Sequence, residues 1–116
     1  MSTYSGPDPG PHPRTDLTVE LRETGAASTL RIEGDLDMGS IDVLLEVAEP
    51  RCAKRESFVE LDMSDVGFLD SAGLHALVRL HRLSEAATGR LILVDPPARV
   101  VRLLRLTGLD AVLRLA

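Results

Sequence analysis

Between Leu17 and Leu115 the apolar residues switch repeatedly between a spacing of two and a spacing of three and four. That order of periods restricts the fold more than any other feature of the chain. Leu17, Val19 and Leu21 alternate with Thr18, Glu20 and Arg22, the pattern of a half-buried strand. Gly25 marks a turn, and Leu30 and Ile32 alternate with Arg31 and Glu33 on a second strand. The two strands form an antiparallel hairpin with one wet face. The loop from Gly34 to Ser40 leads into a helix capped near Ser40, with Ile41, Leu44, Leu45 and Ala48 on one face. Pro50 ends that helix or opens a short extra turn.

Phe58 to Met63 reads as a third strand, which Ser64 to Gly67 carry on to the next helix. That helix runs from about Ser71 to Ala87. Leu74, Leu77, Val78, Leu80 and Leu83 point inward, while His75, Arg79 and Arg82 share an outer stripe. Gly89 closes it. Arg90 to Val94 lacks alternation and reads as a buried, central strand. Pro96 and Pro97 open a third helix, with Val100, Val101 and Leu104 inward and Arg99, Arg102 and Arg105 exposed. Gly108 stands where a left-handed ending is expected, and Ala111 to Leu115 form a last short strand. The order is a hairpin followed by crossover units. It predicts an α/β fold: a mixed sheet of about five strands, with an N-terminal antiparallel hairpin and at least three helices packed on it.

Residues 1–15 hold four of the seven prolines and no apolar period, so they are expected to be a disordered tail, with one domain over 16–116. No apolar run approaches the ~18 residues of a membrane span, and the polar, proline-rich start does not read as a signal peptide. One cysteine, Cys52, excludes an internal disulfide and suits a reducing cytosol, so a cytoplasmic location is expected. The net charge of −5 argues against nucleic acid as the main partner.

The segment that says most about function is Asp70-Ser71-Ala72-Gly73, between Phe68-Leu69 and Leu74-His75-Ala76-Leu77. It falls where a strand ends and a helix begins, so Asp70 or Ser71 can cap the first turn. The positive end of the helix also favours a phosphate on a serine, which makes Ser71 a candidate for a reversible charge switch as well as a cap.

Four blocks in this order resemble the STAS domains of bacterial anti-sigma factor antagonists. They are Gly34-Asp35-Leu36-Asp37, Leu61-Asp62-Met63-Ser64, Phe68 to Leu74, and Arg90 to Val94 running on to Leu106-Thr107-Gly108-Leu109-Asp110. The resemblance implies a switch rather than an enzyme, with no cofactor, metal or catalytic residue. Such proteins bind an anti-sigma factor, often a serine kinase with a histidine-kinase-like ATP fold, and so release a sigma factor. Phosphorylation by that kinase breaks the complex. The partner surface implied comprises Asp35, Asp37, Asp70, Ser71, Ala72, Gly73 and His75. Read against the family's Asp-Ser-Ser-Gly or Asp-Ser-Thr-Gly, with the accepting hydroxyl taken as the one before the glycine, this chain has Ala72 at that place. Two readings follow: an antagonist that phosphorylation does not switch, or one switched at Ser71. The alternative function is a STAS scaffold or ligand-binding module in a signalling assembly, with other STAS proteins as partners.

Other pairings are weaker. Asp35 and Asp37 serve equally as loop carboxylates leading into a helix, and Asp62 and Asp65 as turn formers rather than a metal pair. A phospho-receiver domain needs a lysine near its end, and the single lysine, Lys54, is not followed by another. A hydrolase using Ser71 with His75 or His81 lacks any nucleophile-elbow pattern.

Overall fold

The computed structural model describes residues 2–5 and 17–116, which build one six-stranded sheet in the order β1-β2-β3-β4-β5-β6. Strands β2 (Thr18–Thr24) and β3 (Ala27–Leu36) form the expected hairpin, paired antiparallel from Thr18 opposite Glu33 to Thr24 opposite Ala27. Gly25 takes φ +61 in the two-residue turn between them, a conformation that favours glycine. From β3 onward the pairing is parallel, through β4 (Phe58–Leu69), β5 (Arg90–Val94) and β6 (Arg114–Leu115). The three crossovers carry α1 (Ile41–Cys52), α2 (Ser71–Ala86) and α3 (Ala98–Thr107). Each crossover steps to the next strand in one direction, and right-handed crossovers of that kind put all three helices on one face.

Burial follows from that layering. Val19, Leu21, Leu30, Ile32, Val59, Leu61, Met63, Leu91 and Leu93 are buried under the helices, with Val43, Leu44, Leu77, Leu80, Val100 and Leu104 packed down on them. The opposite sheet face keeps Glu20, Arg31, Glu33, Glu60 and Asp62 exposed or half-buried. Arg31 there pairs with Asp65 and, at 3.6 Å, with Glu20.

Several expectations change in detail. Ser2–Ser5, expected within a disordered tail, forms β1, antiparallel to β2 from Ser2 opposite Leu21 to Ser5 opposite Thr18. The edge of β2 would otherwise present unpaired N–H and C=O groups, and Ser-Thr-Tyr-Ser is short, extended and rich in strand formers. The rest of the expected tail, with His12, lies outside the described residues. The sheet therefore has six strands rather than about five.

β4 is longer than the expected Phe58–Met63 because it contains two irregularities. Between Arg31 and Glu33, and again between Gly34 and Leu36, two residues of β4 oppose one of β3. Each extra residue shifts the alternation, so burial passes from Met63 to Val66 to Leu69 at a spacing of three. β5 is not central: only the two-residue β6 lies beyond it, and Ile92 and Val94 stay half-buried on the open face. In α1 the buried face is Val43, Leu44, Val47, Ala48 and Cys52, and Ile41 and Leu45 sit at its margin. Pro50 is accommodated in the last turn of α1, where the helix needs only two more residues. Arg51 Nη1 donates to the carbonyl of Val47 at 2.6 Å in that turn.

Candidate functional site

The carboxyl ends of β3 and β4 lie side by side, so the loop into α1 and the start of α2 meet at one end of the sheet. Residues that leave neighbouring parallel strands at this end are the ones an α/β fold presents to ligands and partners.

Asp70 takes the capping role, in extended backbone at φ −102, ψ −172. Its Oδ1 accepts from the Gly73 N–H at 2.9 Å, and its backbone carbonyl accepts from Leu74 N–H at 3.0 Å. Its Oδ2 reaches across to accept from the Met38 N–H at 3.3 Å, and its own N–H donates to the carbonyl of Leu36 at 3.2 Å. One residue thus starts α2 and ties it to the acidic loop. Ser71, relieved of capping, is the first residue of the helix and is exposed. Ala72 is half-buried and carries no hydroxyl, so the motif's one hydroxyl is that of the exposed Ser71. The first-turn N–H groups of Ser71 and Ala72 have no intrahelical acceptor, and they leave partial positive charge beside that hydroxyl.

The loop is ordered from within. Asp37 Oδ1 accepts from the Gly39 N–H at 2.9 Å, and the Asp37 carbonyl accepts from the N–H groups of Ser40 and Ile41 at 3.0 and 2.9 Å. Ser40, expected to cap α1, instead closes the loop: its Oγ donates to the Asp35 carbonyl at 2.5 Å and accepts from the Asp37 N–H at 3.0 Å. Asp35 and Asp37 are half-buried, and Asp35 Oδ1 lies over Gly67, 2.8 Å from where a β-carbon there would stand.

Gly73 is buried, and a β-carbon on it would lie 2.5 Å from both the Leu36 carbonyl and Leu69 Cδ1. Its contribution is close approach of α2 to the end of β3, not a contact surface. His75 is exposed one turn along, on the same stripe as Arg79, which pairs with Glu49 at 3.0 Å. The geometry therefore brings Asp35, Asp37, Asp70 and Ser71 to one surface, backs it with Ala72 and Gly73, and leaves His75 at its margin.

One residue of this surface is not marked by the sequence reading: Met38, 79% exposed. Its N–H donates to Asp70, and its signal was an apolar residue inside an otherwise polar loop; Phe68, 50% exposed, faces α3 instead. Asp62 and Asp65 do not form a metal pair. Asp62 Oδ1 accepts from Ser64 N–H and Oγ at 3.0 and 2.7 Å, while Asp65 is taken by Arg31. Cys52 is fully buried, and desolvation with the nearby Glu49 charge pushes its thiol up to about 12. It stays protonated and is no nucleophile. Among the described residues no helix is long and apolar enough to cross a membrane.

The anti-sigma-B factor antagonist of Bacillus subtilis (strain 168) is 26% identical over 98 residues, spanning 84% of this chain and 89% of that protein. An anti-sigma factor antagonist from Mycobacterium paratuberculosis has the same architecture at TM-score 0.74 and 26% identity, covering 85% of this chain and 84% of the other. The anti-sigma factor antagonist SpoIIAA in its unphosphorylated form superposes at TM-score 0.71 and 22% identity, over 84% of this chain and 87% of that one. The STAS domain family model matches residues 18–116, from the first residue of β2 to the end of the sheet, and the chain belongs to that family.

Proposed function

We propose that this protein is an anti-sigma factor antagonist: it binds an anti-sigma factor of the serine-kinase type in the cytoplasm and so releases a sigma factor. The observation that carries the reading is the exposed Ser71 at the start of α2, on a surface that Asp70 fixes to the Asp35–Asp37 loop. Two relatives of 26% identity, one in sequence and one in structure, are named for the same role, which supports it.

Of the two readings of the motif, the switch at Ser71 is the better supported. A phosphate there would add about −1.5 to −2 charges beside Asp70, Asp35 and Asp37. The helix end favours the phosphate, but a partner packed against Met38 would have to desolvate it. Phosphorylation then weakens the complex without unfolding the domain.

The test is phosphopeptide mass spectrometry on protein from its native host with phosphatase activity blocked, combined with affinity for the kinase that co-purifies. The tryptic fragment from Glu56 to Arg79 holds the serines Ser57, Ser64 and Ser71 and no threonine or tyrosine. Ser57 is buried, which leaves Ser64 and Ser71 open to a kinase. Phosphate on Ser71, with at least about tenfold weaker kinase binding by Ser71→Asp, bears the reading out. A bare Ser71, or unchanged affinity in Ser71→Asp, overturns the switch.

A further inference from the structure

A groove of about 300 Å³ runs between the end of β4 and α3, lined by Phe68, Arg99, Val100, Arg102, Leu103 and Leu106. Its floor is apolar, and two of its walls are large side chains left open, Phe68 at 50% and Leu106 at 74% exposure. Its rim is basic. Arg99, Arg102 and Arg105 recur every three residues on α3, a helix without an acidic residue. Among the described residues none of the three is in an ion pair, whereas Arg31, Arg51, Arg79 and Arg114 each hold a carboxylate on another element. In a chain of net charge −5, this is a local reversal of sign beside exposed carbon. The neighbouring groove along α2, lined by His75, Arg79, Arg82, Leu83 and Ala86, does not match it, because Arg79 is already held by Glu49.

We propose that the groove between Phe68 and α3 docks an acidic amphipathic helix of a partner protein, with an apolar side chain seated between Phe68 and Leu106 and carboxylates on Arg99 and Arg102. Arg99, Leu103 and Leu106 fall at i, i+4 and i+7 on α3. That stripe is about 10 Å long at 1.5 Å per residue, the reach of anchors spaced over two turns of a facing helix. Exposed guanidinium groups match carboxylates in pairs. A concave site on a molecule of net charge −5 fits a protein segment better than an anionic lipid surface, which attracts basic, convex faces. The surface is separate from the Ser71 switch and stands whether or not that switch operates.

The test uses the full chain and a synthetic amphipathic helix of about 18 residues, about five turns, with Leu and Phe on one face and Glu along its flanks. A matched peptide with Lys for Glu, and vesicles containing phosphatidylglycerol, serve as comparators. Binding is followed by NMR shifts and fluorescence anisotropy. The Glu peptide is expected to shift Phe68, Leu103 and Leu106. The double variant Arg99→Glu/Arg102→Glu should lose at least about tenfold in affinity for it and gain affinity for the Lys peptide. Leu106→Ser, a change at an exposed position, should weaken the same peptide, and Ser71→Asp should leave it unchanged. Equal binding of both peptides, shifts confined to other elements, binding of vesicles but not peptide, or loss of binding in Ser71→Asp would each overturn the proposal.

Discussion

Asp70 divides one carboxylate between two elements: Oδ1 caps α2 through Gly73 N–H, and Oδ2 holds the loop through Met38 N–H. Removing it should therefore do more than loosen a helix end. Asp70→Ala is expected to lower stability by about 1–2 kcal/mol, the range for a lost N-cap, and to speed amide exchange at Met38. Asp70→Asn keeps one accepting oxygen for the cap but turns an NH₂ toward the Met38 donor. It should recover most of the stability and none of the Met38 protection. Urea unfolding and exchange measured on both variants separate the two roles. Gly73 makes the complementary case. Alanine is the better helix former by about 1 kcal/mol, yet the new methyl would lie 2.5 Å from the Leu36 carbonyl, a backbone atom that cannot swing aside. Gly73→Ala is expected to cost about 1–3 kcal/mol despite the propensity gain, and a neutral or stabilising result would show that α2 can slide on β3.

At the level of elements, the last strand is tied to α2 by a pair of side chains as well as to β5 by its backbone. β6 has two residues, and Arg114 within it donates to Glu85 of α2 at 2.7 Å. The Arg114 hydrogen bond and charge lower the Glu85 pKa below the usual carboxylate range. A carboxylate lowered in the fold adds stability above its unfolded pKa and loses it as pH falls through the folded one. The tie therefore weakens in acid. Arg114→Ala is expected to raise the Glu85 titration midpoint, followed by carboxyl NMR, and to increase exchange at Ala116, whose N–H donates to Leu93 at 2.9 Å. An unmoved midpoint would assign the lowered pKa to other charges near Glu85. The first strand was the hardest element to read, since a run of only four residues, Ser-Thr-Tyr-Ser, carries no period and the edge it covers belongs to β2. The long β4 was hidden for another reason. Its two extra residues reset the alternation twice, so Val66 falls out of step with Val59, Leu61 and Met63 and Leu69 returns to it, even though all five face the core.

For the whole molecule, the layering was legible because each buried set had the right period: Val19 with Leu21, Leu30 with Ile32, and Leu74, Leu77 and Leu80 around one helix face. The candidate site was legible in its acidic and hydroxyl residues, whose spacing marks a cap. Its apolar member Met38 was less so, because its exposure depends on how Asp70 holds the loop into α1. Cys52 carries the same lesson into energetics. A lone cysteine near a helix end gives no hint of depth, yet it is the last residue of α1 and has no exposed surface against the single core. Its thiol is raised from 9.0 to about 12 by burial and then by Glu49. In the unfolded chain the thiol ionises first, so above about pH 9 the unfolded state binds fewer protons than the native one. Stability must then fall as pH rises, by about 1.4 kcal/mol per pH unit from this group, until the folded thiol ionises too. Urea unfolding at pH 8 and pH 10.5 should show that loss in the wild type and a flatter dependence in Cys52→Ala, which starts lower because the buried sulfur leaves a small void. Iodoacetamide at pH 8 should leave native Cys52 unmodified and label it on unfolding. Fast labelling of the native protein would mean that α1 opens from the sheet without global unfolding, and the single core would then be two cooperative units rather than one.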